Sequence, residues 1–177
     1  MTTLEKETLK HQFEKHNLSA PSQKDEDWLY YDLDQLLNLE LSNKSAKKQL
    51  ETINGHYLYF KNGVLDGQSL PDNVKLKTKE IVPVNTKNSF IHFAIKTSQA
   101  IELTFNACKA DIKIIYDNSQ SLHSTAISIV ANESIVSIDR IFLCKEEKSI
   151  TNNYMQLSAE NNSTIVINEQ NTQNQGQ

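Results

Sequence analysis

A chain of 177 residues can bury one sizeable core, with room for a small helical prefix but hardly for two full domains. Its net charge is −4, and a single arginine, Arg140, leaves no guanidinium cluster for bidentate recognition of phosphates or base edges, which argues against nucleic acid as a partner. Two cysteines make no disulfide framework, residues Met1 to His16 are charged throughout with no apolar signal segment, and no run approaches the ~18 apolar residues of a membrane span, so the sequence predicts a cytoplasmic protein.

In chain order, Thr2-Thr3-Leu4-Glu5 reads as a capping box, and Leu4, Leu9 and Phe13 continue it as a short amphipathic helix ending near Asn17. His11 and His16 lie five apart, off the i, i+4 spacing of a helical metal site, and read as solvent-exposed side chains. Pro21 and the acidic Asp25-Glu26-Asp27 then lead into Trp28, Leu29, Tyr30 and Tyr31. This places negative charge at a helix N-terminus and offers an aromatic anchor that pins the prefix to something larger. Leucines 36, 37, 39 and 41 follow, and residues 42–53 form a further short lysine-rich helix, completing a helical N-terminal region over 1–56.

Residues 57–88 read as a hairpin and an extended connector. Tyr57-Leu58-Tyr59-Phe60 and Val64-Leu65 flank an Asn62-Gly63 turn, the dipeptide best suited to the positive φ of a two-residue hairpin loop. Ser69-Leu70-Pro71 closes it, and Val74 to Val84 is extended up to Pro83.

From 89 to 168 the pattern is a ladder of short strands: Phe90, Phe93 and Ile95; Ile101, Leu103 and Phe105; Ile112, Ile114 and Tyr116; Ile127 and Ile129; Val136, Ile138, Ile141 and Leu143; Met155 and Leu157; Ile165 and Ile167. Polar breaks such as Cys108-Lys109, Ala131-Asn132-Glu133 and Glu160-Asn161-Asn162 separate them, with strand starts roughly every 10 to 15 residues, a spacing that suits a sandwich, a barrel or the coils of a solenoid. Glycine is absent from this stretch, which favours Asn-bearing coil corners over tight hairpins. The predicted fold is therefore mostly β, with solenoid coils after a small α-helical region and a short hairpin. The polar segment 169–177 reads as a disordered tail.

The order Pro21, Glu26, Trp28, Tyr30, Asp32 and Leu33, then Tyr59-Phe60-Lys61-Asn62-Gly63, then Ser69-Leu70-Pro71 and the strand ladder, resembles the N-terminal part of the SufB/SufD family of iron–sulfur cluster assembly proteins, closest to SufD. Tyr31 departs from the Thr usual in that signature, while Ile150-Thr151-Asn152-Asn153 and Glu160-Asn161-Asn162-Ser163 are similar to the family's coil motifs. The resemblance implies a right-handed parallel β-helix and a non-enzymatic SufD-like scaffold, with SufB-like and SufC-like ATPase subunits as partners and any iron–sulfur cluster held only in the assembled complex. It also implies that relatives continue through further coils and a helical domain carrying the pairing surface and the Cys and His of nascent cluster assembly. No residue here matches those, so no catalytic, cofactor-binding or metal-ligand position is carried over.

Read by themselves, Cys108 and Cys144 could sit on nearby coils and offer thiolates to a soft metal, but with only His92 and His123 as imidazoles in the β-rich region they read as idle or buried thiols. The carboxylates of Asp111, Asp117, Asp139, Glu133, Glu146 and Glu147 fall at no spacing that forces a pair, and phosphate loops, nucleophile elbows and Cys-x-x-Cys pairs are absent. The residues point to a non-enzyme. The alternative to the scaffold is a small β-solenoid or sandwich interaction module with no metal chemistry.

Overall fold

A computed structural model describes residues 8–22, 24, 32–41, 53–82, 86–118, 122–144 and 150–173. The chain is mostly β. Among the described residues three short helices, α1 (Leu9–Lys15), α2 (Leu33–Leu37) and α3 (Ser89–Thr97), accompany nine strands: β1 (His56–Lys61), β2 (Val64–Ser69), β3 (Val74–Thr78), β4 (Ile101–Asn106), β5 (Lys109–Asn118), β6 (Leu122–Asn132), β7 (Ile135–Cys144), β8 (Ile150–Glu160) and β9 (Thr164–Gln173).

The strands form two mixed, open sheets in the orders β2-β1-β5-β7-β9 and β3-β4-β6-β8. From β4 onward consecutive strands alternate between the sheets, and each pairs in parallel with the strand two places on: β4 with β6, β5 with β7, β6 with β8, β7 with β9. Among the named strands, β1 with β2 and β3 with β4 pair antiparallel, and an isolated antiparallel bridge joins Thr8 to Glu40. The Asn62-Gly63 hairpin lies where the sequence predicts it, with both turn residues at positive φ.

The core lies between the sheets because strand periodicity turns every second side chain inward. Leu58 and Phe60 of β1, Leu103 and Phe105 of β4, Ile112, Ile114 and Tyr116 of β5, and Ile127 and Ile129 of β6 are buried in one cluster. Each buried aliphatic side chain of this kind contributes about 1.5–3 kcal/mol of transfer free energy. In-register pairing also stacks like on like: Phe60, Tyr116 and Phe142 are successive partners across β1, β5 and β7, with centroid separations of 5.6 and 4.9 Å and near-parallel planes.

Corners from the second sheet back to the first are built from residues in the left-handed region: Ala107, Glu133, and the pair Asn161 and Asn162. Asparagine takes the left-handed positions only at the last of these corners, while Asn132 adjoins the second. Hydrogen bonds between turns replace intrinsic preference: Ala107 N donates to Asn132 O, Ile135 N to Cys108 O, and Thr164 N to Ser134 O. Hydroxyls run along the same line, with Ser134 Oγ accepting from Cys108 N and donating to Asn132 O, and Ser163 Oγ accepting from Ser134 N.

Two elements correct the sequence reading. Phe90, Phe93 and Ile95, expected as a strand, belong to α3, whose start is fixed by Asn88 Oδ1 accepting from Phe90 N and Ile91 N. The 90-to-93 spacing is helical, and it turns Phe90 and Phe93 onto Phe13 of α1, against Leu122 and Ile150. At the other end, β9 runs to Gln173, so that Glu169 to Gln173, expected as part of a disordered tail, pair with Arg140 to Cys144. A polar strand is stable there because a backbone ladder requires no apolar side chain. In the prefix, α1 is capped by Thr8, whose side chain accepts from His11 N, and the Thr2 capping box lies outside the described residues. The lysine-rich helix expected over 42–53 falls almost entirely outside them too.

Candidate functional site

The chain folds its prefix back so that α1, the C-terminal end of α3, the Asn62-Gly63 turn and the start of β6 enclose a pocket of about 180 Å³. Gln12 and His16 enter it from α1, Thr97 and Ser98 from α3, and His123 and Ser124 from β6. The hairpin is seated tightly, since a Cβ on Gly63 would stand 2.8 Å from Ser124 O. His16 packs edge-on to Phe93 at 5.6 Å, His123 is buried, and the buried Ser124 hydroxyl has no hydrogen-bond partner among the described residues. Both α3 hydroxyls donate backward, Thr97 Oγ1 to Phe93 O at 2.7 Å and Ser98 Oγ to Ala94 O at 2.6 Å. Their oxygens therefore keep only lone pairs for anything in the pocket.

A second polar region lies inside the fold. Arg140, in register between Ile114 and Glu169, turns inward, ion-pairs with Glu169 and stacks over Phe142 and Tyr116. Thr125 Oγ1 donates to Asn153 Oδ1 at 2.6 Å, and Asn118 Nδ2 donates to Thr151 Oγ1. Tyr116 Oη, Arg140 Nε and Asn153 Nδ2 are buried without a hydrogen-bond partner among the described residues. Burial pushes the Tyr116 phenol up, with the Arg140 guanidinium pulling the other way.

The residues weighed from sequence are dispersed. Cys108 Sγ stands 3.7 Å from Ser134 Oγ beside the start of β7, whereas Cys144 ends β7, paired with Asn118 and Gln173. Nine strand positions separate the two ends of β7, about 30 Å at ~3.3 Å per residue, so the backbone positions of Cys108 and Cys144 lie at opposite ends of the strand. Asp117 is buried and accepts from Tyr59, Asp139 accepts from Asn168 Nδ2, Asp111 lies opposite Ser137, and Glu133 forms a corner. His92 Nε2 lies 2.9 Å from Thr86 O, and His11 is exposed on α1. Glu26, Trp28, Tyr30, Tyr31, Glu146 and Glu147 fall outside the described residues, while Asp32 caps α2 and Leu33 is buried behind it. Among the described residues no three His, Cys, Asp or Glu side chains come together in a way that could hold a metal ion. Among them, too, no helix is long and apolar enough to cross a membrane.

His16 and His123 meet at the pocket although 107 positions apart, together with Gln12 and Ser124, which the sequence does not single out. No local pattern encodes this, because the meeting depends on α1 folding back onto α3. Comparison of the chain with protein-family models and with curated proteins finds no match. What fold and site define together is a mostly-β chain of two facing mixed sheets with a helical cap, a polar pocket under the cap and, among the described residues, β8 and β9 as the outermost strands at the far end.

Proposed function

We propose that residues 101–173 form a short right-handed parallel β-helix, and that the chain acts without catalysis as a SufD-like scaffold in a cytoplasmic iron–sulfur cluster assembly complex, with SufB-like and SufC-like ATPase subunits as partners. The alternation of β4 to β9 between two sheets supports the β-helix, with in-register partners 26 to 29 positions apart, as for Cys108 with Ser134, Thr125 with Asn153, and Ser134 with Ser163. The helical prefix, the Asn62-Gly63 hairpin and the coils also stand in the order of the resemblance.

One observation carries the scaffold reading. Leu103, Ile129 and Leu157 are successive inward partners across β4, β6 and β8; the first two are fully buried, and Leu157 is 47% exposed. The last turn thus presents apolar core positions and two unpaired strand edges, which a further coil or another chain would cover.

The separation of the backbone positions of Cys108 and Cys144 along β7 favours a second reading, an interaction module with no metal chemistry. Anaerobic reconstitution with iron and sulfide analysis, together with a pull-down against a SufC-like ATPase, distinguishes the two. Capture of the ATPase and a change in cluster yield are expected; failure to capture it together with an unchanged cluster yield would sink the scaffold reading.

A further inference from the structure

We propose that Asn54-Gly55 is a site of spontaneous deamidation, in which the Gly55 nitrogen closes on the Asn54 side chain with help from the Lys113 ammonium, a property independent of any part in cluster assembly. Asn-Gly occurs at two places in the chain, 54–55 and 62–63. Glycine is the following residue that least obstructs ring closure, because no Cβ stands beside the attacking nitrogen. The two dipeptides have opposite surroundings. Asn54, Gly55 and the next residue, His56, are exposed where the chain enters β1. Gly55 lies at φ 88 with nothing within 4 Å of an added Cβ, and its N–H meets no acceptor among the described residues. Asn62 and Gly63, by contrast, are the turn of the closed hairpin. Lys61 pairs with Val64 across it, Asn62 N donates to Asp117 O at 3.0 Å, and Gly63 is pressed against Ser124. Ring closure there requires the hairpin to open first.

A contact from β5 acts on the exposed dipeptide alone: Lys113 Nζ donates to Asn54 O at 3.1 Å. That oxygen belongs to the peptide group whose nitrogen attacks. As Gly55 N gives its proton to a base in solution, negative charge spreads onto Asn54 O, where the ammonium stabilises it. The bond from Gly55 N to Asn54 Cγ then forms, the Cγ–Nδ2 bond breaks, and Nδ2 takes a proton from solvent and leaves as ammonia. Water next adds to either carbonyl of the resulting succinimide, the C–N bond at that carbonyl breaks, and the ring nitrogen regains a proton. Opening at Cγ leaves aspartate; opening at the main-chain carbonyl leaves isoaspartate, with the backbone routed through the former side chain. Either product carries a new carboxylate beside Lys113 and makes the chain one unit more negative than −4.

The test incubates the full chain in mildly alkaline buffer, folded and in urea. Peptide maps are read by mass for replacement of an amide by a carboxyl group, and an isoaspartate-specific carboxyl methyltransferase reports the rearranged product. In the folded chain, conversion is expected at Asn54, with isoaspartate among the products, at least about tenfold faster than at Asn62, where local opening must come first. In urea the two sites should react at comparable rates. Lys113→Met should slow conversion of Asn54 in the folded chain about threefold, the scale of an exposed charged contact, and Lys113→Arg should restore it. Circular dichroism reports whether each variant is folded, and the comparison of Asn54 with Asn62 in the parent stands without either. The proposal is overturned if Asn54 stays an amide in the folded chain, if Asn62 converts as fast as Asn54 there, or if folded Lys113→Met reacts as the parent does.

Discussion

Tyr59 Oη donates to Asp117 Oδ2 at 2.6 Å, linking β1 to β5 on the face of the sheet opposite the main core, with both residues nearly inaccessible to solvent. Burial and this carboxylate together hold the Tyr59 phenol well above its ordinary value of 10.0. The folded state thus favours the protonated phenol, and the associated stability is present below pH 10 and is lost as pH rises beyond it. Tyr59→Phe leaves Asp117 buried with a donor removed, so a loss of roughly 1–3 kcal/mol is expected in urea unfolding at neutral pH. The decline in stability above about pH 10 should be shallower in that variant than in the parent.

Glu102 supplies the opposite sign. Its carboxylate is nearly inaccessible and ion-paired with Lys77 at 2.8 Å and with Lys79. Hydrogen bonds from these two lysines hold its pKa below the ordinary 4.5, outweighing the upward pull of burial. Its contribution is therefore present above pH 4.5 and lost as pH falls through the lower folded value. Both lysines are half-exposed or more, so the contribution is screened to about 1 kcal/mol or less and shrinks further in high salt. Glu102→Gln should remove that part of the acid sensitivity, as measured by denaturant midpoints between about pH 5 and pH 3.

The two positive-φ glycines should separate strain from crowding. Gly55, at φ 88, has nothing within 4 Å of an added Cβ, whereas the Cβ of an alanine at position 63 would press on Ser124 O. Gly55→Ala should cost about 1 kcal/mol from backbone strain alone. Gly63→Ala should cost more, by roughly 1–3 kcal/mol, because backbone must move. Equal denaturation midpoints for the two variants would contradict the tight seating of the hairpin on β6.

The open turn should make itself felt in solution. Leu157, Ile165, Ile167 and the strand edges at β8 and β9 are uncovered or half covered, and the isolated chain should self-associate through them. Sedimentation velocity is expected to show a mass that grows with concentration, and Leu157→Lys should shift it back towards the monomer. A clean monomer at high concentration in the parent would contradict this.

The strands were legible because period-2 alternation in Ile101-Leu103-Phe105 or Ile112-Ile114-Tyr116 is a local signal of one buried face. Their partners were not, since parallel pairing of Leu103 with Ile129 depends on how many residues a turn takes, and no hairpin loop fixes it. Phe90, Phe93 and Ile95 misled because a short apolar run fits helix and strand alike, and the Asn88 cap decides between them. The polar half of β9 escaped notice because its order comes from backbone pairing with β7, which side-chain composition does not report. The pocket depends on Gln12, His16 and Ser124, far apart in sequence, lining one space, and leaves no motif behind.

The hydrogen bonds that cross each corner, from Ala107 N to Asn132 O, Ile135 N to Cys108 O and Thr164 N to Ser134 O, each tie a turn to its immediate neighbour. Such a chain behaves as a stack of plates, in which a plate is held by what lies above and below it and by little else. In the last plate β8 is also tied to α3, through Asn152 Nδ2 donating to Phe90 O, whereas β9 pairs with β7 alone among the described residues and is the first to loosen; β5, clamped between β1 and β7, is among the last. The end most available to another chain is thus also the end most ready to rearrange around it.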